Sequence, residues 1–329
     1  MTGTLKVRRT ATVIILLLLG LLLWLSLTHF RPSEIFGFRE DDQNKVVSSV
    51  YDSPVHLANL ENRSVLESSG IGSSKLNTGV CWTHNDSGDG PFLYAFDQQG
   101  KNRGVWRVAG ASAVDWEDMA MGPGPIQGQS YIYAGDIGDN SKDRDEILVY
   151  RVAEPSIAPS DSSSTTKSPR NTDAADVIRL RYPDGKHNAE TLLVHPSTGD
   201  LYIITKLRGA AAGVYKLKAP FPNSGPSTLV RIGEVQFPNS LIGLITGGDI
   251  SPDGKRVILC DYLGGFELVL PATRGLAFDE IWKQPLMPVN VGARQQGEAI
   301  CYRADGLALL ATSEGLPCPL IETARSNRE

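Results

Sequence analysis

Five short segments of this chain carry an acidic side chain in a similar setting. They read Glu67-Ser-Ser-Gly-Ile, Asp115-Trp-Glu117-Asp-Met-Ala, Asn188-Ala-Glu190-Thr-Leu-Leu, Gly248-Asp249-Ile-Ser-Pro and Gly297-Glu298-Ala-Ile. Aligning Glu67, Glu117, Glu190, Asp249 and Glu298 gives spacings of 50, 73, 59 and 49 residues. If each acid opens the first strand of a repeated unit, the five gather around one axis. Carboxylates crowded in that way repel one another unless a cation or protons compensate. Calcium suits such a site, because it takes roughly 6–8 oxygen ligands in irregular geometry. Zinc would call for His or Cys, and only His84 lies near the expected rim. These five residues are therefore the expected metal ligands, and Ca2+ the expected ion.

A second polar series falls at the ends of the strands that follow. It comprises Asp86 in His84-Asn85-Asp86-Ser-Gly, Asp136 in Gly135-Asp-Ile-Gly-Asp139-Asn140, Lys206, Asp261 and Glu314. The second strand of a sheet runs back beside the first, so both series should face one mouth. Asn85, Asp136, Asp139, Asn140, Asp261 and Glu314 are accordingly candidate ligand-binding residues. If the protein is an enzyme, the fitting chemistry is metal-dependent hydrolysis of a phosphoester. His84 or Asp86 would then act as base, and Lys206 would offset phosphate charge. The competing reading is structural: acids at strand ends cap turns and accept hydrogen bonds from backbone N–H groups. Gly135–Asn140, with Asp143, Asp145 and Glu146 after it, lacks EF-hand spacing and reads as such a turn. Trp116 reads as packing between sheets.

The elements needed to position these residues are short strands. Intervals near 50 residues match propeller blades. The runs Gly79–His84, Phe92–Phe96 and Gly104–Val108 build the first blade after Glu67. Comparable runs follow Glu117, Glu190 and Asp249, the last blade-four run being weak and near Ile281-Trp282. Blade five lacks a fourth strand, and Val46–Tyr51 is the spare run expected to complete it and close the ring. The expected fold is thus an all-β, five-bladed β-propeller over residues 46–329. Six blades is the alternative if a degenerate blade lies in the long second interval. That interval contains Glu154–Ala175, rich in Ser, Pro and Thr, which reads as a disordered surface loop.

The N-terminus has a different character. Lys6, Arg8 and Arg9 precede the apolar run Ala11–Leu27, and no small-x-small cleavage site follows. Residues 1–10 read as a cytoplasmic basic tail, 11–30 as a transmembrane signal anchor and 31–45 as a polar stalk. The expected location is a bacterial inner membrane, with the C-terminal domain in the periplasm or outside the cell. Cys81, Cys260, Cys301 and Cys318 would meet an oxidising compartment, as buried thiols or in one of three disulfide connectivities. Net charge is −5, from 32 basic and 37 acidic residues. No basic stripe with interleaved aromatics is present, which argues against nucleic acid as a partner. There is no G-x-S-x-G elbow, P-loop or dinucleotide fingerprint.

Taken together, Glu67-Ser-Ser-Gly, Trp82-Thr-His-Asn-Asp-Ser-Gly, Asp115-Trp-Glu-Asp-Met-Ala, Gly135-Asp-Ile-Gly-Asp-Asn, Gly297-Glu-Ala-Ile and Thr312-Ser-Glu-Gly resemble the motifs of a group of exported bacterial β-propeller proteins. The similarity spans roughly residues 65 to 317. That group is loosely related to NHL, YVTN and phytase-like propellers. Asn188 departs from the group, which tends to carry Asp there. The resemblance implies the fold and an exported location, and no particular activity. A weaker analogy, of architecture alone, is to calcium-activated nucleotidases. The expectation is a membrane-anchored propeller whose calcium-type mouth binds a small molecule or an envelope protein. The alternatives are a metal-dependent hydrolase and a structural scaffold of the envelope.

Overall fold

The computed structural model describes residues 50–222, 224–237 and 244–326. The expected basic tail, transmembrane segment and stalk lie outside the described residues, as do residues 46–49. Among the described residues, no helix is long and apolar enough to cross a membrane.

Five antiparallel blades surround an axis. The innermost strands are Ser68–Ser73, Trp116–Pro123, Ala189–Val194, Gly247–Ile250 and Ile300–Tyr302. Each innermost strand packs against that of the next blade, and the fifth against the first, so the ring is closed at five rather than six. Strands buried on both faces need near-continuous apolar or small residues, and Leu201–Thr205 is buried throughout. Outer strands alternate: in Asp176–Arg181 only Ile178 and Leu180 turn inward.

The core lies between the blades. Tyr133, Leu192 and Ile203 belong to one buried cluster joining blades two and three, and Trp82, Trp106 and Trp116 to one joining blades one and two. Each fully buried aliphatic or aromatic side chain contributes roughly 1.5–3 kcal/mol of transfer free energy. Every interface holds such a cluster, so neighbouring blades stabilise one another.

Blade five is completed from the N-terminal side by Val55–Asn59, downstream of the expected run Val46–Tyr51, of which only residues 50 and 51 are described. This strand pairs antiparallel with Pro319–Ala324, and upstream of it Tyr51 bridges to Arg325, with the Asp52 amide donating to Ala324 O at 2.9 Å and the Ser326 amide to Val50 O at 2.8 Å. Buried apolar anchors set the choice. Leu60 and Val65 are buried in the cluster containing Cys318 and Leu320, and Leu57 packs against it. Blade four also differs from expectation. Phe278–Lys283 is a 3-10 helix that buries Ile281 and Trp282, and the fourth strand is Met287–Val289.

The Glu154–Ala175 insertion is ordered, contrary to its composition. It contains a 3-10 turn, Pro159–Ser163, and a strand, Arg170–Ala174, that pairs parallel with Asn102–Ala109 as a fifth strand of blade one. Polar contacts replace apolar burial. Glu154 is 5% exposed. Its carboxylate accepts hydrogen bonds from the Ser74 hydroxyl, the Trp82 indole N–H at 3.0 Å and the Leu76 amide at 3.2 Å. Ser164 Oγ accepts the Val105 amide at 2.7 Å, and Arg170 pairs with Asp161 at 2.8 Å. Glu154→Ala would orphan the Trp82 indole and the Ser74 hydroxyl. Each buried donor left unpaired costs about 1–3 kcal/mol. The expected outcome is a less stable protein whose 154–175 segment is cut faster in limited proteolysis; an unchanged cleavage rate would refute this account.

All four cysteines are free and buried, so none of the three disulfide connectivities forms. Two of the thiols instead face carbonyl oxygens: Cys260 Sγ lies 3.1 Å from Glu298 O, and Cys318 Sγ 3.2 Å from Ser313 O.

Candidate metal centre at the channel mouth

The chain entering each first strand is held by the end of the second. In blade one, Asn85 Oδ1 accepts the Leu66 and Glu67 amides at 2.9 and 3.1 Å. In blade two, Asp136 accepts those of Val114 and Asp115 at 3.3 and 3.1 Å. In blade five, Ser313 Oγ accepts the Gln296 amide at 3.0 Å. A β-bulge follows in the first three blades, where the ladder shifts register between Ser68 and Gly70, Trp116 and Asp118, and Ala189 and Thr191. The extra residues are Ser69, Glu117 and Glu190. A bulge re-aims the side chain it carries.

This geometry corrects the expected ring. Glu67 occupies the place of Asp115, and Ser69 that of Glu117. Blade four has no bulge: Gly247 pairs with Cys260, and Asp249 pairs with Ile258 further along the strand. Asp249 accepts the Ile250 amide at 2.8 Å and the Tyr302 amide of the next blade at 2.9 Å. Its carboxylate is a structural tie, and burial pushes it up to about 7. Asp118 does the same for Met119 and Leu192 at 2.8 and 2.9 Å. Both satisfy amides on the inner edge of a first strand, which has no sheet neighbour toward the axis.

Several residues of the second series are also structural. Asp136 is buried and pairs with Arg144 at 2.8 Å. Asp139 accepts the Asp143 and Arg144 amides at 2.8 and 3.0 Å, and Asn140 accepts the Asn188 side-chain amide at 3.1 Å. Asp261 caps its own turn through the Leu263 and Gly264 amides. His84 is fully buried, packs edge-on to Trp116 at 5.5 Å between ring centroids, and has Nδ1 2.8 Å from Asn85 O. Burial lowers its pKa below the ordinary histidine value. Lys206 is bound to Glu190 and donates to the Tyr262 hydroxyl at 2.8 Å. Burial would lower its ammonium, but the Glu190 charge outweighs this and holds it raised.

The remaining acids form an arc across blades five, one and two. Carboxylate oxygens of Asp86, Asp115 and Glu117 lie within 4.8 Å of one another, and so do those of Asp86, Glu298 and Glu314. Either group could hold a metal ion. Asp86 follows the second strand of the middle blade, and so reaches both sides. Glu67, exposed, stands nearby but belongs to neither group. Burial, and then the charges of Glu314 and Asp86, raise its carboxyl. Asp115 was absent from the expected ligands. Its signal in the sequence was its place two residues before Glu117. Gly138 backs this pair: a Cβ there would sit 2.2 Å from Glu117 Oε1 and 2.3 Å from Asp115 Oδ2.

Electrostatics mark the arc as under-compensated. Glu117 is 3% exposed, yet among the described residues its carboxylate has neither a hydrogen-bond donor nor an ion-pair partner. Burial, then the charges of Glu190, Asp86 and Asp115, push it well above the ordinary carboxylate range. Asp115 is raised by burial and by Asp86. Glu298 is pushed up to about 9 by burial and by a hydrogen bond with Glu314. No protein-family model matches the chain, and no curated protein matches it either.

Proposed function

We propose that this is a membrane-anchored, extracytoplasmic β-propeller that holds a hard divalent cation, calcium, in the acidic arc of its channel mouth. The cation would form the floor of a binding site for a small molecule or an envelope protein. One observation carries the reading: among the described residues the buried Glu117 carboxylate has no hydrogen-bond or ion-pair partner, and it lies within 4.8 Å of two further carboxylates. A cation supplies the missing partner, and oxygen-only donors favour calcium over zinc. Anchoring rests on the basic residues and apolar run before residue 30. Calcium sites of extracellular modules work at dissociation constants of about 10−4–10−3 M, so a modest site would suffice outside the cytoplasm.

Binding is favoured over hydrolysis by the fate of the expected catalytic groups. His84 lies beneath the mouth, packed on Trp116, and Lys206 is committed to Glu190 and Tyr262. Of the three expected catalytic groups, only Asp86 therefore faces the arc, where it stands among the carboxylates that would hold the cation.

The test is thermal unfolding of the full chain in detergent, after stripping with EDTA and on adding calcium. A cation at 1,000 times its dissociation constant stabilises by about 4 kcal/mol, which raises Tm by roughly 8–16 °C in a domain of this size. No shift, together with no calcium in elemental analysis, would sink the proposal.

A further inference from the structure

The two groups of carboxylates share one member. Asp86 belongs to the set with Asp115 and Glu117, and to the set with Glu298 and Glu314. We propose that the mouth takes two divalent cations, one on each side of Asp86, which bridges them through its two carboxylate oxygens. This rests on the cation reading above and extends it from one ion to a pair.

Charge balance is the first argument. The five carboxylates carry five negative charges when ionised. One divalent cation leaves three uncompensated, and two leave one. Among the described residues, the buried Arg294 guanidinium donates to the Asp261 and Gly264 carbonyls and forms no ion pair with any of the five. Lys206 is held by Glu190 and Arg144 by Asp136. Among the described residues, none of the five acids forms an ion pair.

The second argument is independent of the clustering. Glu117 and Glu298 are 3% and 4% exposed, one on each side of Asp86. Among the described residues Glu117 has no side-chain partner, and the side-chain hydrogen bonds of Glu298 are to Gln296, at 3.3 Å, and to Glu314, a fellow acid. Buried carboxylates are ordinarily paired or bound to metal. In the half opposite Glu117, then, the buried Glu298 has only an amide and a fellow acid as side-chain partners, and no positive charge faces it.

The third argument is reach. Each set brings three side chains together, and calcium completes its shell with water. Paired metals with a shared ligand sit about 3.5–4 Å apart, a distance one carboxylate can span.

The experiment is equilibrium dialysis of the EDTA-treated full chain against calcium, with bound metal counted per chain. Manganese binding is followed in parallel by electron paramagnetic resonance. The expected result is two ions per chain and an exchange-coupled manganese spectrum. Asp115→Asn and Glu314→Gln should each lower the count to one, and circular dichroism establishes that both variants fold. One ion in the parent protein would overturn the pair and leave the single-cation reading standing. No bound ion would overturn both. Two ions with the spectrum of isolated manganese, or two ions retained in Glu314→Gln, would overturn the bridge through Asp86.

Discussion

Glu117→Gln should stabilise the cation-free propeller and weaken its binding of calcium, two effects of opposite sign from one substitution. The carboxylate is buried, faces other carboxylates and has no partner among the described residues. Replacing it with a neutral group of the same shape removes that repulsion, worth about 1–2 kcal/mol. The same change deletes a charged ligand, and calcium affinity should fall by about tenfold or more. A residue that only packs would lower stability when replaced and leave calcium affinity unchanged. Tm with EDTA and with saturating calcium distinguishes the cases; a drop in both would refute the assignment.

Burial of the arc, with the hydrogen bond between Glu298 and Glu314, has a pH signature. Glu298 in the folded, cation-free protein is raised from the ordinary glutamate value of 4.5 to about 9. The folded state therefore holds a proton that the unfolded state has lost, and stability falls as pH rises through that interval. Calcium competes with this proton, so its affinity should rise over the same interval. The stabilisation by calcium should accordingly grow from pH of about 5 to about 9.

Asp118→Ala should be the most damaging single change at the axis. Its carboxylate is fully buried and joins blade two to blade three through the Met119 and Leu192 amides. Removing it orphans two buried N–H groups at about 1–3 kcal/mol each, for a loss of roughly 2–6 kcal/mol. Asp118→Asn keeps an acceptor oxygen and should cost much less. Chemical denaturation of the two variants checks this, and equal losses would show that charge, not backbone satisfaction, is what Asp118 supplies.

The architecture was legible because its signals are local. Apolar runs such as Leu201–Thr205 and alternating ones such as Asp176–Arg181 announce inner and outer strands from their own residues. The closing strand was misplaced because Val46–Tyr51 has the stronger strand pattern, while Val55–Asn59 is held by Leu57 and Leu60 packing on blade five. The insertion misled for a related reason. Composition measures how much apolar surface a segment can bury, and this one is ordered by Glu154, Asp161 and Ser164 through hydrogen bonds.

The site was legible in its residue types and misread in its register. Glu117, Glu190 and Glu298 open their blades as the spacing indicated. Glu67 is displaced by two positions, because the blade-one bulge residue is Ser69. Asp86 and Asp136 looked equivalent from their motifs. Yet Asp136 occupies the capping place of Asn85, which leaves Asp86 alone to face the channel.

By itself, then, the sequence determined an all-β propeller repeat with acids gathered at one end, since strand periodicity and repeat spacing are properties of the chain, and the closed ring decided five blades over six. Only the tertiary structure decided that the acids form an arc over three blades, centred on Asp86, instead of a symmetric ring. One extra residue in a bulge turns a side chain to a new direction, and one lysine, Lys206, removes a blade's charge from the set. Neither effect changes the residue types that a sequence displays.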